Sequence, residues 1–306
     1  MDTCVARTPI PARTLTWLLD PQNPSARYLT LTRIIGQRED TPAVRASRAA
    51  IPLARPARDI LMAQYPKGYW MHQGIGCSPR YRATVWQILI LAQLGVRRSA
   101  EMDRAVEHLF ETNQRDDGAF RASKEPGDTP LALNASLLWA LETMGYGERE
   151  QVRVAWSWAL ERSASLDLEK CPGRDAARAW TAVKLLWAAN AVPQDRLDSR
   201  QVQLAHLAAQ GLLASPPRPG ASDPRWFELT FPLIETPDLL QWLEVLVGAG
   251  YEDHPALEFA RQWLTEKRWS HATWPLERAP DKMWAGFGGV GEANKWVTVR
   301  ALSVLA

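Results

Sequence analysis

The stretch TVWQILILAQLGVRRSAEMDRAVEHLFETNQRDDGAF, Thr84 to Phe120, carries the pattern on which the fold turns. Its first part is apolar at 85, 86, 88 to 92 and 94, nearly all round a helix, which marks a buried helix. After Gly95, residues Ser99 to Asn113 alternate apolar and charged side chains with helical period, the mark of a helix with one face in water. One inner and one outer helix make a hairpin that cannot bury its apolar face alone.

The same unit recurs. LALNASLLWALETMG precedes EREQVRVAWSWALERSAS, AARAWTAVKLLWAANAV precedes SRQVQLAHLAAQGLLAS, and DLLQWLEVLVGAG precedes HPALEFARQWLTEKR. A two-helix unit at a period of roughly 50 residues is the signature of stacked hairpins. Gly95, Gly145 and Gly250 fall at corresponding turns, where a left-handed C-cap ends each inner helix. NKWVTVRALSVLA closes the chain without an outer partner. Strand-type alternation does not occur at useful length. The expectation is an all-α fold, an α/α toroid of repeated hairpins with apolar inner and amphipathic outer helices. All-round apolar inner helices favour a closed ring over an open solenoid. Residues 1–60 are expected to complete or flank the ring, and residues 61–306 to form the repeat domain.

Composition narrows the function classes. The 36 Lys and Arg against 34 acidic residues give a net charge of +2 with no like-charge block, so nucleic acid has no electrostatic footprint here. Three cysteines, Cys4, Cys77 and Cys171, lack metal-ligand or disulfide-framework spacing and read as free thiols. The N-terminal apolar patch at Leu15 to Leu19 is too short for a signal h-region and the longest runs are too short for a bilayer span, so a cytoplasmic protein without a transmembrane segment is expected. Fifteen tryptophans are several times ordinary usage. Such rings either wedge helices apart or wall a cavity for an apolar or cationic ligand.

The segment QRDDGAF, 114 to 120, resembles the Q-x-x-D-G-x-W motif of the squalene cyclase and protein prenyltransferase repeat. In that repeat the Gln caps helix ends and the aromatic stacks beside it. WLTEKRWSHATWPLER looks like a degenerate copy with Lys267 in place of the Gln. RYRATVWQILILAQLG, WFELTFPLIETPDLLQWLEVLVGAGY and GEANKWVTVRALSVL are similar to a bacterial group within that superfamily. The resemblance covers roughly residues 60 to 306. It implies a terpenoid-cyclase-like toroid with a central cavity for an apolar or isoprenoid-like small molecule, and cyclisation or prenyl transfer as the chemistry.

The superfamily's catalytic motifs do not carry over. Class II cyclases protonate an alkene with the middle Asp of D-x-D-D, which is absent here; Asp116 and Asp117 belong to the turn motif. Asp128, just before an inner helix in GDTPLALNAS, is the nearest substitute acid, and an N-cap is its structural alternative. Prenyltransferases hold zinc with Asp, Cys and His; Cys171 has no such neighbours, so neither metal nor cofactor is expected.

In a toroid the loops entering the inner helices surround one mouth, so polar residues there converge. They are Arg80, Arg82, Thr84, Asp128, Thr129, Asn134, Arg174, Asp175, Arg178, Glu235, Asp238, Asn294 and Lys295. Trp86, Trp139, Trp180, Trp242 and Trp296 occur once per inner helix. From these, the expected ligand-binding set is Trp86, Asn134, Trp139, Arg174, Trp180, Asp238, Lys295 and Trp296. Lys184, Gln87 and Arg300 interrupt apolar helices and either face a wet cavity or reach the surface by their long stems. The loop Tyr65 to Tyr81 is a lid or a clasp. Two readings compete with catalysis by Asp128: a non-catalytic binding or interaction scaffold, and a glycan-processing barrel with paired carboxylates drawn from Asp128, Glu235 and Asp238.

Overall fold

The computed structural model describes residues 10–75, 77–125, 127–166, 168 and 176–305. The positions of Cys4, Cys171, Arg174 and Asp175 lie outside the described residues. Thirteen α-helices are found among the described residues, with isolated bridges and no strand. They are α1 (Ala12–Leu18), α2 (Pro24–Arg33), α3 (Pro42–Ala50), α4 (Ala57–Met62), α5 (Thr84–Gln93), α6 (Ala100–Asn113) and α7 (Leu131–Met144). Then follow α8 (Glu150–Ala164), α9 (Ala176–Ala191), α10 (Ser199–Ala214), α11 (Leu239–Gly248), α12 (Glu258–Glu266) and α13 (Lys295–Leu305).

The helices pack as two concentric layers. α5 packs on α7, α7 on α9, α9 on α11, α11 on α13, and α13 on α2. α2 returns to α5: Ser25 Oγ donates to the Leu94 carbonyl at 2.8 Å, and Tyr28 lies against Gly95. The inner row therefore closes into a ring. Every residue of α5 is buried, whereas α6 buries only the face containing Met102, Ala105, Val106, Leu109 and Asn113. α3, α6, α8, α10 and α12 form the outer layer, each paired with the inner helix before it. Gly95, Gly145 and Gly250 all have positive φ, as a left-handed helix stop requires.

One clamp recurs around the ring. Gln64 Nε2 donates to the carbonyls of Gly68 (3.3 Å) and Glu101 (3.0 Å), and Gln114 Nε2 to those of Gly118 (3.2 Å) and Gln151 (2.7 Å). Each Gln thus ties its own turn to the first turn of the next outer helix. The aromatic two residues after the Gly, or after Ala272 in the C-terminal copy, is buried, and its N–H donates to a polar side chain near the start of the next inner helix. Trp70 uses Thr84 Oγ1 at 3.1 Å, Phe120 uses Asn134 Oδ1 at 2.6 Å, and Trp274 uses Thr298 Oγ1 at 3.0 Å. Trp70 and Trp274 also donate through Nε1 to the carbonyls of Ile60 and Leu264, both at 2.7 Å.

QYPKGYW, 64 to 70, is therefore a copy of the turn motif with Lys67 in place of the Asp, and that part of the 65–81 loop is a clasp. In the C-terminal copy the main-chain pattern places Arg268, not Lys267, at the Gln position: Trp269 N–H pairs with the Thr273 carbonyl as Tyr65 N–H pairs with that of Tyr69. Lys267 instead ion-pairs with Glu277 at 2.5 Å. A Cβ on Gly68 would lie 2.2 Å from the Arg104 carbonyl oxygen, so the outer helix rides directly on the turn. Gln64→Ala removes both carbonyl tethers and is expected to cost about 1–3 kcal/mol, read from the shift in chemical-denaturation midpoint.

Candidate functional site: the ring interior and its mouth

An irregular segment of the chain itself packs against the inner helices. Between α10 and α11, residues 229–234 are continuously buried without forming a helix. Phe231 stacks on Trp296 of α13 at 5.2 Å and 4° and meets Phe287 edge-on at 5.5 Å. Two residues on, Leu233 exchanges two hydrogen bonds with Gln93 at the C-terminal end of α5: its N–H donates to Oε1 at 2.7 Å and its carbonyl accepts from Nε2 at 3.2 Å. The Gln93 amide thus satisfies main chain that has no helix or sheet to pair with. Glu235 is back at the mouth, accepting from Arg80 Nε at 2.6 Å and from the Tyr81 hydroxyl at 3.0 Å. This segment, the plug, thus spans from α13 to the C-terminal end of α5.

Asp238 anchors the base of the plug. It caps α11 by accepting from Gln241 N–H at 2.7 Å and accepts from Thr230 N–H at 2.9 Å, the position that Thr84, Asn134 and Thr298 hold in the other clamps. Arg300 of α13 then forks onto it at 3.1 and 2.8 Å, reaches Glu244 at 2.8 Å, and donates to the Thr230 carbonyl at 2.9 Å. Burial works against the Arg300 charge, but the Asp238 and Glu244 carboxylates outweigh it, so its proton is held more tightly than usual. The group is saturated with partners and serves the plug.

Lys184 of α9 is also fully buried, on the opposite flank of α11. Its Nζ donates to Gln241 Oε1 at 3.0 Å and lies 4.8 Å from the Trp187 ring centre; Trp187 stacks on Trp139 at 3.7 Å. Burial pushes the ammonium down to about 7, with Asp238 pulling the other way and Arg300 reinforcing the fall. In the unfolded chain this amine keeps its proton to about pH 10.4. Between about 7 and that value the unfolded state binds a proton that the fold does not, so stability rises with pH through this window and is flat below it. Denaturation midpoints between pH 7 and pH 9.5 are expected to rise in the wild type, by up to about 1.4 kcal/mol per pH unit, and to lose most of that slope in Lys184→Met.

The sequence-predicted ligand set is scattered by this geometry. Asn134 is spent on the Phe120 main chain, accepting at 2.6 Å and donating at 2.9 Å. Lys295 pairs with Asp20 at 3.0 Å beside Trp17, on the N-terminal helices. Trp86 donates to the Cys77 carbonyl at 2.9 Å and leans on Tyr81; Trp180 lies under the Arg225 guanidinium at 4.5 Å. Trp296 donates to Ser25 Oγ at 2.9 Å while its face stacks on the plug. Trp139 meets Trp187, and Arg174 lies outside the described residues. Asp238 and Trp296 are brought together around the plug, but Asn134 and Lys295 are not.

Asp128 sits in the loop ahead of α7, half-buried. It does not cap the helix, whose N-cap is Pro130 without a side-chain bond. Its charge acts on the nearby Cys77 thiol, which burial and then Asp128 push up to about 12. Among the described residues, no group of three or more His, Cys, Asp or Glu side chains is placed to hold a metal ion. Lys184, Gln87 and Arg300 all stay inside: Gln87 donates to the Tyr81 carbonyl at 2.9 Å, and none reaches the surface by its stem. Two open grooves of about 590 Å³ each lie at the C-terminal ends of inner helices, one beside Asn190, His206 and Tyr251, the other beside Glu142, Trp156 and Arg196.

No protein-family model and no curated protein matches the chain. Among solved structures it is similar to two variants of the type II terpene cyclase MstE from Scytonema. One is in complex with its substrate geranylgeranyl dihydroxybenzoate (12% identity, TM-score 0.33) and the other with its product merosterolic acid A (12% identity, TM-score 0.34). Each match covers 96% of this chain and 97% of the other. Among the described residues, no helix is long and apolar enough to cross a membrane.

Proposed function

We propose that the protein is a binding ring without cyclase chemistry, which accepts one apolar, isoprenoid-like chain in place of its own 229–234 segment. The observation that carries this reading is the irregular, apolar plug, held inside a closed helical ring by side-chain tethers from Gln93, Arg80, Tyr81 and Arg300. Phe231, Leu233 and Ile234 fill the site much as a ligand would. Displacing three such side chains forfeits roughly 5–9 kcal/mol of burial, at about 1.5–3 kcal/mol each. A chain of about fifteen carbons recovers roughly 12 kcal/mol at about 0.8 per carbon, and one of about five carbons recovers only about 4. Only the longer chain therefore competes.

The cyclase alternative lacks an acid in the right setting. Protonating an alkene needs a carboxylic acid in a dry chamber, whereas Asp128 lies half-buried on a loop at the mouth. Native mass spectrometry after incubation with farnesol is expected to show a one-to-one complex, and incubation with isoprenol none. Gas chromatography of geranylgeranyl diphosphate or squalene incubated with the protein is expected to return no cyclised product. A cyclised product that disappears in Asp128→Asn would overturn the reading, as would failure to bind farnesol.

A further inference from the structure

Lys184 is a buried nucleophile that neither the clamps nor the plug employs. Lys184 Nζ is completely buried on α9, against the α11 helix that follows the plug. It donates to an uncharged acceptor, Gln241 Oε1 at 3.0 Å. The nearest carboxylates, Asp238 and Glu244, are both committed to Arg300 at 2.8 Å. An ammonium presents three donors, and a structural ion pair would have given them a carboxylate. The other end of the same amide, Gln241 Nε2, is buried with no hydrogen-bond partner. A nucleophilic amine and an unused N–H donor thus share one amide, beside the aromatic stack of Trp187 on Trp139.

We infer that Lys184 captures a carbonyl compound: its amine forms an imine with the aldehyde of an apolar chain that takes the plug's place, and Gln241 Nε2–H serves the carbonyl oxygen. This rests on the reading of the ring as a ligand chamber. The nitrogen lone pair attacks the carbonyl carbon and the C–O bond breaks. The two amine protons leave with that oxygen as water, so nothing is oxidised or reduced. A desolvated lysine in an apolar site is the setting in which amine nucleophiles are activated. The charged groups that face it are Asp238 at the cap of α11, Glu244 on α11, Arg300 on α13 and Glu235 just after the plug; of these only Arg300 opposes protonation. Burial is the larger influence and keeps a large share of the amine neutral near pH 7.

The test is reductive trapping of the full-length protein with farnesal and cyanoborohydride, followed by peptide mass mapping, with farnesol as the competitor that lacks a carbonyl. The expected result is labelling of Lys184 at pH 7 at least about ten-fold faster than of Lys67, Lys124, Lys267, Lys282 or Lys295, with a pH midpoint well below that of ordinary lysines. Excess farnesol should suppress it, and Lys184→Met should abolish it. The farnesol arm needs no variant, so misfolding of Lys184→Met does not blunt the test. Farnesol binding with labelling confined to surface lysines overturns the imine proposal and leaves the binding ring standing. Failure of both farnesol binding and Lys184 labelling overturns both.

Discussion

Arg300→Met is expected to destabilise the fold by about 3–5 kcal/mol, because it leaves two carboxylates facing each other inside the ring without a cation. Arg300 is 5% exposed and Asp238 fully buried, so water cannot replace the guanidinium. The same change frees the Thr230 carbonyl, which Arg300 holds at 2.9 Å, and so loosens the plug at its base. Unfolding monitored by tryptophan fluorescence should show a midpoint lower by roughly 6–20 °C, taking about 2–4 °C per kcal/mol for a chain of this size. Adding Asp238→Asn should recover part of the loss, since the worst like-charge contact is gone. An Arg300→Met protein as stable as the wild type would mean that the ion pair is not formed inside the ring.

Phe231→Ala tests the plug from its apolar side. The Phe231 ring stacks on Trp296 and meets Phe287 edge-on, so truncation removes a buried aromatic and leaves a void between α13 and the rest of the segment. Large-to-small changes of this kind cost about 3–5 kcal/mol when the site does not collapse. The ring of helices resists collapse because four inner helices, α5, α7, α11 and α13, are held near their starts by clamps at Thr84, Asn134, Asp238 and Thr298. The variant should therefore lose stability and also bind farnesol more tightly than the wild type, since the competitor is weaker. Calorimetric titration and chemical denaturation on the same sample separate the two effects. Lower stability with unchanged farnesol affinity would place the ligand elsewhere.

The helical ring was legible in the sequence because it rests on periodicity. The all-round apolar run from Val85 to Leu94 can only be an inner helix, and the glycine stops at 95, 145 and 250 mark its repeats. The clamp at Gln64 to Trp70 was present as the same Gln, Gly and aromatic spacing as 114 to 120, but it was obscured by neighbouring Pro and Gly that read as an irregular loop. The plug left a fainter signal, the unbroken buried stretch LTFPLI ahead of α11, whose destination depends on a contact between Gln93 and Leu233 across 140 positions of sequence. Asn134 and Lys295 looked like mouth residues because they stand at helix starts. Helix starts here are also where clamps and ion pairs form, and those side chains were already engaged. Lys184 was visible only as a polar interruption, since burial and the lack of a carboxylate partner are properties of the packed ring.

Hydrogen–deuterium exchange over residues 229–236, with and without saturating farnesol, is the most direct test of an interior held by its own segment and ceded to an apolar chain. The Thr230 and Leu233 amides donate to Asp238 and Gln93, so in the free protein the segment should be protected like α5 and α11. Farnesol should raise exchange in this segment alone while α5, α11 and α13 stay protected. Rapid exchange in the free protein would contradict the plug, and undiminished protection with farnesol bound would contradict its displacement.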